Sequence, residues 1–174
     1  MYLISIYFDK QTNQTLQRYI TQIAEKTGNT FMIEHKVPPH MTISAIEARN
    51  VEVLVPAFKS LQGKISGGEV TFASVGQLLP YVFYATPVLN VYLQELSEQI
   101  FQTFSLIEET SISKYYRPFS WLPHVTLGKT LTKEQMQKAF SIMQDSFAPF
   151  SARCTEIGLA KVNPHEDVIR YHLK

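Results

Sequence analysis

The chain has one cysteine, Cys154, among its 174 residues. A single thiol excludes an intrachain disulfide and any cluster of thiolate metal ligands, so we interpret Cys154 as a small apolar residue of a strand. No two histidines are spaced as His-x-His or His-x-x-x-His, the patterns typical of a zinc site. We therefore expect neither a metal ion nor a cofactor.

Long apolar runs and an excess of one charge are also missing. No run approaches the roughly 18 apolar residues that span a bilayer, and residues 1–8 lack the basic flank of a signal peptide. We expect a soluble, cytoplasmic protein that does not contact a membrane. The net charge is +1, from 16 basic and 15 acidic side chains, which excludes a large nucleic-acid surface but permits a small phosphorylated ligand or an RNA end.

One short pattern occurs twice. Residues 39–43 read Pro-His-Met-Thr-Ile, and residues 123–127 read Pro-His-Val-Thr-Leu. In a strand, side chains two residues apart share a face, so each copy presents an imidazole beside a hydroxyl. One His-x-Thr alone is more often a surface pair or a satisfied core histidine. Two copies in matching places favour a symmetric acid/base site in which the copies face each other.

The hydrophobic pattern predicts the order β-α-β-α-β in each half of the chain. In the first half we expect strands at 2–8, 40–46 and 69–75 and helices at 12–26 and 51–61. In the second half we expect a strand at 82–86, a helix that opens at Asn90, a strand from Pro123, a helix capped by Thr132 and Gln135, and strands at 151–161 and 168–173. This order predicts one bilobal domain, with lobe 1 at about 1–78 and lobe 2 at about 79–174. Both motifs would line the cleft between the lobes.

The paired Pro-His-x-Thr tetrapeptides, each followed by an apolar residue, resemble those of the 2H phosphoesterase superfamily. The similarity is strongest to its bacterial 2′-5′ RNA ligase and cyclic phosphodiesterase branch, and it covers nearly the whole chain. It implies an α+β fold of duplicated lobes related by a pseudo-twofold axis, in which a mostly antiparallel, concave sheet forms a central groove and the helices lie outside. It also implies a metal-independent reaction on a nucleotide 2′,3′-cyclic phosphate, a 2′-5′ oligonucleotide or an RNA terminus, with ligation as the reverse.

The resemblance makes His40 and His124 the catalytic pair, and Thr42 and Thr126 the groups that hydrogen-bond the phosphate. Hydrolysis of a cyclic phosphodiester needs a base for the attacking water and an acid for the departing ribose oxygen. Two histidines with ordinary pKa values of about 6.5 can hold opposite protonation states near neutrality. Which histidine is the acid stays open at this stage.

Residues after each motif give weaker indications. Ser44 is expected to add a hydroxyl to the groove, although a serine packed in the sheet explains it equally well. Many family members have an arginine soon after the second motif, whereas this chain has Gly128 and Lys129. Regular alternation places Gly128 on the face of the motif, where it leaves room for a ligand, and Lys129 on the opposite face.

The segment 114–121 combines cations with aromatic rings. It can stack a base and steer a phosphate, or it can be a loop whose rings cover the core. Arg117 is the expected phosphate-binding cation because a guanidinium binds phosphate bidentately. Tyr81 is a weaker candidate for stacking. His165 and His172 have no threonine partner, so we expect them to be structural or exposed.

Three functions remain open from sequence. The first is the two-histidine phosphoesterase, acting as a monomer. The second is a nucleotide or RNA-end binding protein of the same fold with little turnover. The third is a metalloenzyme, which activity in the presence of a chelator would exclude.

Overall fold

The computed structural model describes residues 1–162 and 164–174, and within them it contains eight strands and five α helices. The strands are β1 (Tyr2–Phe8), β2 (Met41–Ala48), β3 (Gly68–Leu78), β4 (Val82–Pro87), β5 (Thr110–Ile112), β6 (Val125–Gly128), β7 (Phe150–Lys161) and β8 (Glu166–His172). The helices are α1 (Lys10–Thr27), α2 (Phe31–Glu34), α3 (Val55–Ser60), α4 (Val91–Phe104) and α5 (Lys133–Ser146), with a 3₁₀ turn at Lys114–Tyr116.

All strand pairs are antiparallel. The strands pair in the order β1-β2-β6-β4-β3-β7, and β7 pairs with β1 as well, so the pairing closes on itself. The long strand β7 makes this possible because its first half pairs with β3 and its second half with β1. β8 extends the sheet beside β7, and β5 pairs with the end of β2. The first and second motifs begin β2 and β6, which are neighbours in this order.

Local sequence explains where the helices begin. Asp9 caps α1 by accepting a hydrogen bond from the backbone N–H of Thr12 at 3.0 Å. Asn90 caps α4, and Thr132 forms the expected capping box with Gln135 at the start of α5. Such caps satisfy backbone donors that have no partner within the first turn, and each contributes about 1 kcal/mol.

The helices lie outside the sheet and complete its core. α1 contacts α5, β6 and β7, while α4 contacts β2, β3 and β5. Cys154 is fully buried in β7, as its interpretation as an apolar strand residue requires. The large side chains that are fully buried include Phe58, Phe72, Phe83, Phe104, Ile4, Ile6, Leu16, Ile20 and Ile23.

The expected order of elements is present in both halves. The first half reads β1-α1-β2-α3-β3, and the second half reads β4-α4-β6-α5-β7 once the short elements are set aside. The sequence did not indicate α2, β5 or the 3₁₀ turn, and α3 is shorter than the helix expected at 51–61. The division into two symmetric lobes stays a prediction. Within the described residues, no helix is long and apolar enough to cross a membrane.

Candidate active site

The two Pro-His-x-Thr motifs lie at the start of neighbouring antiparallel strands. β2 and β6 pair at Met41 and Val125, the residues that directly follow the two histidines. Continuing this register by one residue sets each histidine across from the threonine of the other motif. Two segments that are far apart in sequence therefore meet in one place, which periodicity alone could not establish.

Each histidine is held by the carbonyl two residues before it. Nδ1 of His40 lies 2.8 Å from the carbonyl oxygen of Pro38, and Nδ1 of His124 lies 2.8 Å from that of Leu122. A carbonyl oxygen can only accept, so each Nδ1 donates and carries the proton of the neutral ring. Nε2 of each ring is then the basic nitrogen that can take a proton.

Burial favours the neutral form of both rings. Burial, with smaller contributions from the nearby His165 and His124, lowers the pKa of His40 from 6.5 to about 4. The hydrogen bond to the Pro38 carbonyl and the charge of Asp167 act in the opposite direction. Burial also lowers the pKa of His124, against its own backbone hydrogen bond. A bound phosphodiester is negative and should raise both pKa values, because an opposite charge favours the imidazolium.

The motif threonines differ in accessibility. Thr42 is buried, at 8% exposure, and its hydroxyl lies 3.4 Å from that of Ser5, its partner on β1. Thr126 is half-buried and pairs with Tyr84 on β4. Both hydroxyls lie two residues after a histidine on the same strand, which is the placement that lets imidazole and hydroxyl contact one phosphate.

A tyrosine stands beside each histidine, and the sequence did not indicate either one. The ring centroid of Tyr7 lies 6.1 Å from that of His40, and the centroid of Tyr84 lies 5.3 Å from that of His124. Tyr7 comes from β1 and Tyr84 from β4, the strands adjacent to the two motif strands. The two rings flank the site on both sides.

Glycines on neighbouring strands make room for these rings. A Cβ atom on Gly158 would lie 2.8 Å from the ring of Tyr7, and one on Gly76 would lie 2.5 Å from the hydroxyl oxygen of Tyr84. Any other residue at either position would therefore displace a tyrosine. A glycine in the interior of a strand often marks such a close approach, and this is the signal that could have pointed to the rings.

Three charged side chains from β7 and β8 form a cluster beside Tyr7. The Tyr7 hydroxyl donates to Oδ1 of Asp167 at 3.2 Å, and Asp167 also pairs with Arg170. The guanidinium carbon of Arg170 lies 3.6 Å from the centroid of the Tyr7 ring, and its Nη1 is 3.4 Å from Oε2 of Glu156. Burial and Asp167 together raise the pKa of the Tyr7 phenol, so this hydroxyl stays protonated and donates.

His165 lies in the site, beside His40 and Asp167. Its ring centroid is 5.3 Å from that of His40, and its Nε2 is 3.6 Å from Oδ1 of Asp167. Sequence reasoning missed this contact because His165 precedes β8, which reaches β2 only through β7 and β1. The expectation that His172 is exposed is met, since its side chain is 86% exposed.

The segment 114–121 is partly exposed and partly buried. Tyr115 and Phe119 are 69% and 80% exposed, whereas Trp121 belongs to the core. Arg117 is exposed and follows the 3₁₀ turn, which contacts β2. The structure describes no side-chain hydrogen bond or ion pair of Arg117 within 1–162 and 164–174, so its guanidinium has its donors available.

Ser44 and Tyr81 lie away from the two histidines. The register of β1 and β2 shifts between Ile4 and Ser5, which sets Ser44 opposite Ile4 on the core side. Ser44 is 1% exposed, so the expected addition of its hydroxyl to the groove is not what the structure shows. Tyr81 is exposed and precedes β4, three residues before Tyr84 and roughly 10 Å along the strand.

A second register shift lies in the pairing of β4 with β6, between Phe83 and Tyr84. Gly128 pairs with the buried Phe83, while Thr126 pairs with the adjacent Tyr84. A Cβ on Gly128 would lie 2.8 Å from Leu131, so this glycine faces the core, and the expectation that it leaves room for a ligand is wrong. Lys129 lies beyond the end of β6, with its ammonium 5.5 Å from the centroid of the Phe31 ring.

Side chains that could bind a metal ion do not form a cluster in the part of the chain that the structure describes. No set of three or more His, Cys, Asp or Glu side chains is arranged there to hold a metal ion. The side chains that meet at the site are two imidazoles and two hydroxyls, which are able to transfer protons and to bind a phosphate.

Comparison with known proteins places the chain in a family. A family model described as the 2′-5′ RNA ligase superfamily matches residues 12–166. No curated protein matches the chain. The structure is similar to that of E. coli LigT complexed with 3′-AMP, at 16% identity and a TM-score of 0.66, over 99% of this chain and 97% of that one. It is also similar to TT0787 of Thermus thermophilus, at 14% identity and a TM-score of 0.64, with the same coverage. The expected α+β fold with an antiparallel sheet and outer helices is confirmed.

Proposed function

The chain belongs to the 2′-5′ RNA ligase superfamily, and on that premise we propose that it is a metal-independent phosphoesterase with a two-histidine mechanism. Its substrate is a nucleotide 2′,3′-cyclic phosphate, a 2′-5′-linked nucleotide or an RNA end, and 2′-5′ ligation is the reverse of cleavage of the 2′-5′ bond. The observation that carries the proposal is the pairing of β2 with β6, which brings together two histidines whose Nδ1 atoms are both held by backbone.

The chemistry follows from the two basic nitrogens. Nε2 of one histidine takes a proton from water while the water oxygen bonds to phosphorus. The bond from phosphorus to one ribose oxygen breaks, and the protonated Nε2 of the other histidine gives that oxygen a proton. One ring gains a proton and the other loses one, so exchange with solvent restores both. In ligation a ribose 5′-hydroxyl attacks phosphorus in place of water, so the same histidine takes the proton and the other again protonates the departing ribose oxygen. The two rings exchange roles in the reverse step, in which the 2′-5′ bond is cleaved.

The threonines are assigned to the phosphate. Thr42→Val or Thr126→Val should lower kcat/KM by roughly a hundredfold, because valine keeps the shape but removes a donor to the charged oxygens of the transition state. Thr42→Ser and Thr126→Ser keep the hydroxyl and serve as matched controls that should retain most activity. Steady-state kinetics on a 2′,3′-cyclic nucleotide measures kcat/KM of the valine and the serine variants. A valine variant within threefold of the wild type would remove that threonine from the proposal.

The nucleoside part of the substrate is proposed to lie along the exposed rings of segment 114–121. The similar protein LigT is known in complex with 3′-AMP, which is the type of product that opening a 2′,3′-cyclic phosphate gives. Exposed Tyr115 and Phe119 offer faces on which a base can stack, and Arg117 offers a free guanidinium for a further phosphate. Tyr81 is kept as a more distant stacking candidate. The enzyme is proposed to act in the cytoplasm as a monomer.

A panel of phosphodiesters in excess EDTA tests the proposed function. The four nucleoside 2′,3′-cyclic phosphates should be hydrolysed to one isomer, 2′ or 3′, and a 2′-5′ dinucleotide should be cleaved in preference to its 3′-5′ isomer. Nucleoside 3′,5′-cyclic phosphates are the negative control. If none is turned over, but the wild type and the double variant His40→Ala/His124→Ala bind 3′-AMP equally, the protein is a nucleotide-binding protein instead. Activity that EDTA abolishes would indicate a metalloenzyme.

A further inference from the structure

His165 lies in the active site although it belongs to neither motif. Its ring is tilted by 31° to that of His40 at a centroid separation of 5.3 Å. The side chain is 11% exposed, and its Nε2 is buried without a hydrogen-bond partner in the described part of the chain. A buried polar atom without a partner costs roughly 1–3 kcal/mol, so packing alone does not account for a histidine here.

Asp167 is the charged group that faces His165. Its Oδ1 lies 3.6 Å from Nε2 of His165, a distance at which a carboxylate attracts an imidazolium. The carboxylate is also held by the Tyr7 hydroxyl, which donates to the same Oδ1, and by Arg170, which contacts Oδ2. Arg170 is in turn fixed by Glu156. His165 therefore lies beside both this carboxylate and the ring of His40.

The two catalytic histidines have different surroundings as a result. His40 is faced by Tyr7 from β1, by His124 from the second motif, by His165 just before β8 and by Asp167 in β8. His124 is faced by His40 and by Tyr84 from β4, and its pKa is lowered by burial against one hydrogen bond to a backbone carbonyl. Two rings that are equivalent in sequence thus differ in the charges beside them.

We propose, on the basis of the function given above, that His165 is a positioning residue for His40: it lies 3.6 Å from Asp167 and 5.3 Å from the ring of His40, so a proton on His165 disfavours a second proton on His40 and reserves that ring as the base. Two positive rings at this separation are unfavourable, and the site is too buried for water to screen them fully. His40 then takes the proton from water in hydrolysis of the cyclic phosphate, and His124 protonates the departing ribose oxygen.

The effect is measured directly on His40 by NMR titration of the histidine rings in the full chain. In His165→Gln the pKa of His40 should rise by about one unit, because a neutral side chain of similar size replaces the repelling charge. His165→Lys restores a cation and should keep the pKa of His40 near that of the wild type. His35→Gln, the same change at an exposed histidine before β2, should leave it unchanged. If His165→Gln does not fold, His165→Met fills the space without a charge and takes its place.

A purely structural role for His165 would give a different result. Loosened packing would raise the pKa of His40 in the Gln and Lys variants alike, and no contact at all would leave it unchanged in both; either outcome overturns the inference. The acid limb of kcat/KM should move with the pKa of His40. The NMR result does not depend on turnover, so a wild type that hydrolyses no phosphodiester defeats the proposed function and leaves this test intact.

Discussion

His40→Ala and His124→Ala should each lower kcat on a 2′,3′-cyclic nucleotide by about a thousandfold or more. Each variant removes one of the two nitrogens that move protons in the proposed reaction, and proton transfer by a positioned side chain contributes about a hundredfold to ten thousandfold. The loss should appear in kcat rather than in KM, because the threonines that contact the phosphate remain. Steady-state kinetics with purified variants measures the effect.

The folding of the variants, the activity of the double variant and an exposed histidine provide the controls for this prediction. Each ring makes one hydrogen bond to a backbone carbonyl, so the variants should stay folded. The double variant should be little worse than either single one, because residues that act as a unit are not additive. His35→Ala, at an exposed histidine of the connector before β2, should keep full activity. More than a tenth of wild-type kcat in either single variant would contradict the assignment.

The free energy of unfolding should fall by roughly 3 kcal/mol on account of His40 alone as the pH drops from 6.5 to 4. The pKa of His40 is lowered from 6.5 to about 4, mainly by burial, and one unit corresponds to about 1.4 kcal/mol. Between these pH values the unfolded chain binds a proton that the folded chain does not. Stability from this ring is therefore complete above pH 6.5 and is lost as the pH falls toward 4.

Urea unfolding at pH 7 and pH 4 measures the contribution of His40 to the free energy of unfolding. In His40→Gln, which has no titrating ring at this position, the loss of stability between the two pH values should be smaller than in the wild type by that amount. His35→Gln removes an exposed histidine and should show the wild-type loss. Equal losses in the wild type and His40→Gln would mean that His40 is not buried in its neutral form. His124 should contribute in the same direction, because its pKa is also lowered.

Much of the scaffold could be predicted because it rests on local signals. Apolar periodicity indicated α1, α4 and α5, and side-chain caps at Asn90 and Thr132 marked two of their starts. The repeated Pro-His-x-Thr pentapeptide indicated β2 and β6 together with the residues proposed for catalysis. These features depend on residues within one turn of helix or a few positions of strand, so one sequence contains them.

The remaining features depend on how distant strands align. Register shifts turn Ser44 and Gly128 toward the core, and regular alternation cannot reveal a shift. The placement of His165 beside His40 depends on the pairing of β8 with β7 and of β7 with β1. Tyr84 reaches His124 because a glycine on β3 leaves space for its ring. Each of these contacts joins residues from different strands, and apart from the glycines inside β3 and β7 no local pattern along the chain indicates them.

The pH dependence of kcat/KM for a 2′,3′-cyclic nucleotide in excess EDTA tests the two-histidine mechanism most directly. A base with a pKa of about 4 and an acid whose pKa is lowered below 6.5 predict a bell-shaped profile. The acid limb should lie near pH 4 and the maximum on the acid side of neutrality. The pH profile of kcat should lie at higher pH than that of kcat/KM, because the bound phosphate favours the imidazolium form of both histidines. Activity that rises steadily through pH 8, or that does not change between pH 4 and 8, would contradict proton transfer by His40 and His124.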